Sequence, residues 1–347
     1  MKKIIMISVF LICLCSCVGA RNNGGVIINV YNWGEYIDES VLKGFANETG
    51  ININYDTYPT NEDMYAKLKS GGVNYDIAIP SDYMIERMIN EDMVEKLNFE
   101  NIPNCKYIDK RFTNLEYDAN GEYSVPYMWG TVGILYNKPM VSDTVDSWEI
   151  LWDKKYSGTI FMYDSMRDTL GVSLKRLGYS LNTRDLSQLE AAGASLIEQK
   201  PLVLAYAGDT VRDSMIGNEA ALAVVYSGDA KFCIENNEDL SYAVPKEGSN
   251  VWFDAIVIPK GSTHKEEAEK FIDYLCRPEV CMKNVEYIGY STVNSKTFEM
   301  LPDETKNDPT FWPSDEIYNR CEIFADLGNF TSDYDRVWTE VLAASNN

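Results

Sequence analysis

Short β-branched, apolar runs alternate along this chain with longer stretches whose apolar positions recur every three or four residues, and that alternation predicts an α/β protein. The run Val26-Ile27-Ile28-Asn29-Val30 feeds a glycine turn, Tyr31-Asn32-Trp33-Gly34-Glu35-Tyr36, and a helical pattern follows over 38–48. Strand, turn and helix in that order read as the first βα unit of a parallel sheet. Residues 51–55 alternate with period two and give a second strand; Thr60 then caps a helix to about residue 70. A third strand over 75–80 ends in Ser81-Asp82-Tyr83, ahead of an amphipathic helix to about residue 89.

Near residue 123 the pattern changes, and 124–129 and 131–136 read as two extended segments around Gly130, as where a chain crosses between lobes. Beyond a short helix at 148–152, the α/β alternation resumes: strands over 158–162, 202–206 and 220–226, helices ending near 177 and spanning 186–199 and 209–216. The extended, apolar segment 251–259 can carry the chain back to the first lobe, helices over 266–275 and 278–287 would complete it, and a last helix spans 333–344. No repeat or low-complexity tract is evident.

Parallel sheets bind ligands outside the carboxyl ends of their strands, so the side chains at those ends are the candidates for chemistry. They are Trp33, Glu35 and Tyr36; Ser81 and Tyr83; Asp164 and Asp168; Tyr226; Trp252 and Asp254; and Tyr290. Aromatics, carboxylates and hydroxyls dominate, with Arg167 the one base among them. Aromatic faces attract a cation by roughly 0.5–2 kcal/mol each, and a carboxylate adds a charged hydrogen bond. The composition selects a ligand with several positive charges on an apolar skeleton. Any single Tyr or Trp here could equally be packing the core or its rim, and Ser81 and Asp82 could simply cap a helix. Asp254 is the sharpest position, because it stands in a strand between Phe253 and five apolar residues. Buried alone it would cost several kcal/mol, so it requires either a structural donor, such as Arg167 or a backbone N–H, or a cationic ligand.

Length and charge narrow the class. At 347 residues the chain can form two domains, and acidic residues outnumber basic ones 53 to 31. A surface this negative concentrates cations and makes nucleic acid an unsuitable partner. Met1-Lys2-Lys3 and the apolar run over 4–14 form a secretory signal, too short and early for a useful membrane span. It ends in Leu14-Cys15-Ser16-Cys17, which resembles a bacterial lipobox; Cys17 would become the lipidated first residue, and the polar tether 18–25 would hold a soluble body at a membrane surface. Five cysteines remain beyond the signal. Cys276 and Cys281 would point about 140° apart on one helix, so the five read as small buried residues. His264, the single histidine, excludes a His-rich metal site, and no cofactor is expected. Walker, G-x-G-x-x-G and G-x-S-x-G motifs are missing. Paired acids in an aromatic cleft also suit a carbohydrate enzyme or a sugar receptor, which is the alternative reading.

Tyr31-Asn32-Trp33-Gly34-Glu35-Tyr36, Met64-Tyr65-Ala66-Lys67-Leu68-Lys69, Pro80-Ser81-Asp82-Tyr83 and Ile288-Gly289-Tyr290, with Trp129-Gly130 and Trp252-Phe253-Asp254, resemble the spermidine/putrescine-binding proteins of bacterial polyamine ABC importers in order and spacing. The resemblance implies a non-catalytic, two-lobed periplasmic-binding-protein fold of type II, each lobe a mixed sheet flanked by helices. It places an N-terminal lobe at 26–130 and 256–297, a C-terminal lobe at 131–255 and 298–347, and a polyamine in the cleft, for delivery to a membrane permease by a monomeric protein. Trp33, Tyr36, Tyr83, Trp252 and Tyr290 would form the aromatic box and Glu35, Asp168 and Asp254 would hold the amines, with Gly34, Ser81 and Tyr226 contributing. Tyr226 stands where the family can have Trp, Ser165 where a further acid would be sought, and Phe324 where an amide is possible.

Overall fold

The computed structural model describes residues 25–208 and 210–345; the expected signal segment, Cys17 and all of the tether except Gly25 lie outside the described residues. Its strands are β1 (Ile27–Trp33), β2 (Asn52–Tyr58), β3 (Ile77–Ala78), β4 (Ser124–Asn137), β5 (Ile160–Tyr163), β6 (Val203–Ala207), β7 (Leu222–Tyr226), β8 (Leu240–Ala243), β9 (Val251–Val257) and β10 (Ser291–Thr292). They pair in the order β2-β1-β3-β9-β4-β7-β5-β6, and β8 and β10 also lie on β4.

Strand β4 organises this network. Its first part, 124–131, runs antiparallel to β9 and also carries β10, whereas 132–137 runs antiparallel to β7 and β8. The two extended segments expected around Gly130 are therefore one strand of 14 residues. Gly130 does not interrupt it, and its lack of a side chain is a packing requirement: a Cβ there would lie 2.7 Å from both the Trp252 ring and Ser227 Oγ. The sheet is parallel only at its flanks, β1 with β2 and β3, and β5 with β6 and β7. Antiparallel β4 and β9 separate the two parallel units, and Gly130 lies opposite Trp252.

Local signals were enough for most helices. Thr60 caps Asn61–Ser70, accepting from Asp63 N at 3.1 Å, and Leu186–Gln199 has the expected bounds. The helix Ser227–Asn236 was not expected; it lacks a regular apolar stripe, but Ala230 and Cys233 pack with Leu135, Phe161 and Val225 in a second core cluster. Both faces of β7 are covered, since Leu222 and Val224 join the main core. At the joint, Trp129 packs with Phe112, Phe253 and Trp312 at centroid separations of 5.0, 6.1 and 5.2 Å, and its indole N–H donates to Thr292 O at 3.1 Å. Burying the Phe112 and Phe253 rings stabilises this part of the sheet by about 1.5–3 kcal/mol each.

Candidate functional site

After β1 the chain folds back on itself. Asn32 Oδ1 accepts from Trp33 N at 2.8 Å, Glu35 takes a left-handed φ of 52°, and Tyr127 Oη donates to Tyr36 O at 2.9 Å. A non-glycine residue in that region is strained, and the contacts on either side hold it there. The turn delivers the Tyr36 hydroxyl to Asp254 on β9, donating to Oδ2 at 2.7 Å. Ser81 stands at the N-terminus of the helix Asp82–Asn90 but does not cap it: its hydroxyl donates to Asp254 Oδ1, also at 2.7 Å. Two hydroxyls from distant segments thus hold Asp254. Burial pushes its pKa up to about 6 while both hydroxyls oppose the rise, and Arg167 is not its partner. That guanidinium donates instead to Ala325 O and Asn182 Oδ1 and lies 4.4 Å from the Phe324 ring centre.

Asp168 is built in a similar way in the other half of the molecule. Ser165 caps the helix Met166–Arg176 and its hydroxyl donates to Asp168 Oδ2 at 2.7 Å, while Tyr226 Oη donates to the same oxygen at 2.8 Å. Oδ1 has no hydrogen-bond partner among the described residues, although the Asn250 amide stands near enough to favour the charged form. Burial raises this carboxyl as well, against Ser165 and Tyr226.

Between the two carboxylates runs a series of edge-to-face rings. Tyr36, Tyr290, Trp252 and Tyr226 are separated by 6.1, 4.8 and 6.0 Å from one centroid to the next, and Tyr127 and Tyr163 extend the run at its two ends. Gly228 makes the middle possible, since a Cβ there would fall 2.2 Å from the Tyr290 ring. Among the described residues neither Asp254 nor Asp168 forms an ion pair with Arg or Lys. The surroundings are two buried carboxyl groups and a chain of π faces, an environment for an organic cation. The buried indole N–H groups of Trp252 and Trp33 lack partners among the described residues, and an ammonium, which only donates, cannot satisfy them, whereas a water can.

The remaining candidates lie at the margin. Trp33 packs against Tyr58 at 4.6 Å, and Gly34 and Glu35 are exposed. Tyr83 gives its hydroxyl to Glu62 and accepts from Asn61, while its ring lies 5.8 Å from the Arg167 guanidinium. Asp164 is exposed. Sequence reasoning gave Asp82 no role beyond capping. It is buried, accepts from Phe253 N at 3.0 Å and Tyr83 N at 2.7 Å, and burial pushes its pKa up to about 8 against those two bonds. It fixes β9 to the helix that carries Ser81. Tyr127 and Tyr163 had no sequence signal that set them apart from other tyrosines of the chain.

The sequence profile of the family described as bacterial extracellular solute-binding protein matches residues 40–313. The chain belongs to this family. A relative in Escherichia coli, a spermidine/putrescine-binding periplasmic protein, is 35% identical over 316 residues and covers 90% of each chain. Two solved structures are also similar to this solute-binding protein. One is a putative spermidine/putrescine ABC transporter from Listeria monocytogenes, 41% identical, TM-score 0.87, covering 92% of this chain and 99% of that one. The other is the spermidine/putrescine ABC transporter substrate-binding protein of Streptococcus pneumoniae, 40% identical, TM-score 0.84, with the same coverage. The fold is that of a type II periplasmic binding protein, and the family consists of binding proteins, not enzymes.

Proposed function

We propose that this solute-binding protein captures a polyamine, spermidine or putrescine, outside the cytoplasm and hands it to the permease of an ABC transporter. One observation carries the reading. Asp254 and Asp168 are buried, among the described residues hold only hydroxyl partners at hydrogen-bond geometry, and terminate a run of four rings. A linear molecule with ammonium groups at its ends and methylenes between would place its charges on the carboxylates and its chain along the rings. Tyr36, Tyr226, Trp252 and Tyr290 form that wall, and Ser81 positions Asp254. Trp33, Gly34 and Tyr83 close the rim, and Glu35 offers a third carboxylate to a third amine, which favours spermidine over putrescine.

The rival reading, a carbohydrate-active site, is not favoured by the family. In this proposal the protein is monomeric and held at the membrane by a lipid on Cys17, with 18–25 as its tether. No helix among the described residues is long and apolar enough to cross a membrane. Isothermal titration against spermidine, putrescine, a monoamine and an oligosaccharide panel tests the central claim. Saturable binding of the polyamines is expected; binding of an oligosaccharide with no heat from either polyamine would overturn it.

A further inference from the structure

Of the five cysteines among the described residues, all free thiols, two have been brought together from 171 positions apart. Cys105 Sγ and Cys276 Sγ are 3.9 Å apart. Their approach is enforced by contacts on both sides of them. The single-turn helices over 99–107 are clamped to the helix Lys265–Leu275 by two of its acids: Glu269 accepts from Asn98 N and Asn101 Nδ2 at 2.8 and 2.6 Å, and Asp273 accepts from Asn104 N and Nδ2, both at 2.8 Å. Cys276 caps that helix, and its carbonyl accepts from Asn294 Nδ2 at 2.8 Å. The other thiols are engaged elsewhere. Cys281 Sγ faces Thr292 Oγ1 at 3.2 Å, Cys233 Sγ points to Arg212 O and Cys321 Sγ to Ile317 O.

Access is asymmetric. Cys276 is buried, whereas Cys105 is half-buried and lines a cavity of about 120 Å³ together with Ile108, Phe112 and Tyr117. The Cys105 sulfur beside it, together with burial, holds the Cys276 thiol well above its ordinary range. Cys105 is thus the thiol that an external reagent meets first.

We propose that Cys105 and Cys276 form an oxidisable pair that closes into a disulfide outside the cytoplasm, where family members reside and where disulfides persist. The oxidant is a disulfide-bearing reagent or oxidoreductase. The Cys105 thiolate attacks one of its sulfurs, the oxidant's S–S bond breaks, and the first leaving thiolate takes up the proton that Cys105 gave up. Cys276, on losing its proton, attacks the Cys105 sulfur of the mixed disulfide and releases the second oxidant thiol. Two protein thiols are oxidised and one disulfide is reduced to two thiols. The bond joins the turns over 99–107 to the end of the helix, on the part of the molecule that carries β1, β3 and β9. It acts on stability and leaves the aromatic run untouched. This inference rests on the family's location and not on the identity of the ligand.

The test is to treat the full-length protein with oxidised glutathione, block free thiols with N-ethylmaleimide, and map the unreduced digest by mass spectrometry. A cross-linked peptide containing Cys105 and Cys276, two hydrogens lighter than its components and lost on reduction, is expected. The melting temperature of the oxidised protein should exceed that of the reduced protein by several degrees, and Cys105→Ser and Cys276→Ser should each abolish the difference. Maleimide on both cysteines after oxidation, or a cross-link from either to Cys281, Cys233 or Cys321, would overturn the proposal. The peptide map needs only the natural sequence, so a variant that fails to fold leaves the test intact.

Discussion

Replacing Asp254 by Asn removes the charge and keeps the shape, and the structure sets opposite expectations for the empty and the loaded protein. Burial lifts this carboxyl from 3.8 to about 6. At about 1.4 kcal/mol per tenfold change in proton affinity, the folded protein disfavours the charged form by about 3 kcal/mol. Because the folded pKa is raised, Asp254 contributes stability that is present in full below about pH 4 and lost as the pH rises through about 6. Asn has no such charge to disfavour. Its carboxamide oxygen can accept from one of the hydroxyls of Ser81 and Tyr36, and its Nδ2 can donate to the other, whose oxygen has lone pairs free to accept. Allowing about 1 kcal/mol for weaker hydrogen bonds, Asp254→Asn should stabilise the empty protein by about 1–2 kcal/mol at neutral pH and by little near pH 4.5. Polyamine affinity should move the other way. Losing a charge-assisted hydrogen bond to an ammonium costs about 1.5–3 kcal/mol, on the order of ten- to a hundredfold in Kd. Urea unfolding at the two pH values, with calorimetric titration of spermidine, measures both quantities. If the variant is strongly destabilised while the folded fraction binds with unchanged affinity, Asp254 is a structural partner and the assignment fails.

Three other outcomes can be checked with the same assays. Because protonation of Asp254 competes with an ammonium, spermidine affinity should fall about tenfold between pH 7 and pH 5; a flat titration profile over that range would count against carboxylate capture. Gly228→Ala places a Cβ 2.2 Å from the Tyr290 ring, so the ring must move; at least tenfold weaker binding is expected, with helix propensity itself improved by up to about 1 kcal/mol, and unchanged affinity would show that Tyr290 is not part of the site. Spermidine at a hundredfold excess over Kd should stabilise the fold by about 2.7 kcal/mol and raise Tm, and an equal shift with a monoamine or sodium chloride would argue against a dedicated polyamine site.

Much of this protein was already determined locally. The βα units at 27–70, the Thr60 cap and the helix Leu186–Gln199 follow from periodicity and capping, which act over a few residues and leave a pattern that can be read. The chemical class of the site was legible too, because aromatics and acids recur at strand ends, and the motif blocks already resembled a polyamine-binding family. What the sequence could not determine is which of those side chains meet. Asp254 is held by hydroxyls 173 and 218 positions away, and Asp82 reaches Phe253 N from 171 positions away. Ser81 suits both a helix cap and a site residue, and only tertiary packing decides between them by bringing Asp254 to its hydroxyl. Gly130 reads as a break between segments, whereas in the fold it is the point where a Trp and a Ser press on one continuous strand. The helix Ser227–Asn236 and the short strands β8 and β10 carry little pattern, since partners already in place, chiefly β4, supply what their own sequences lack. Cys105 and Cys276 have no spacing that relates them; only the clamp of Glu269 and Asp273 does. Periodicity records which face of an element is buried, but the partner it is buried against is chosen by packing across the whole chain.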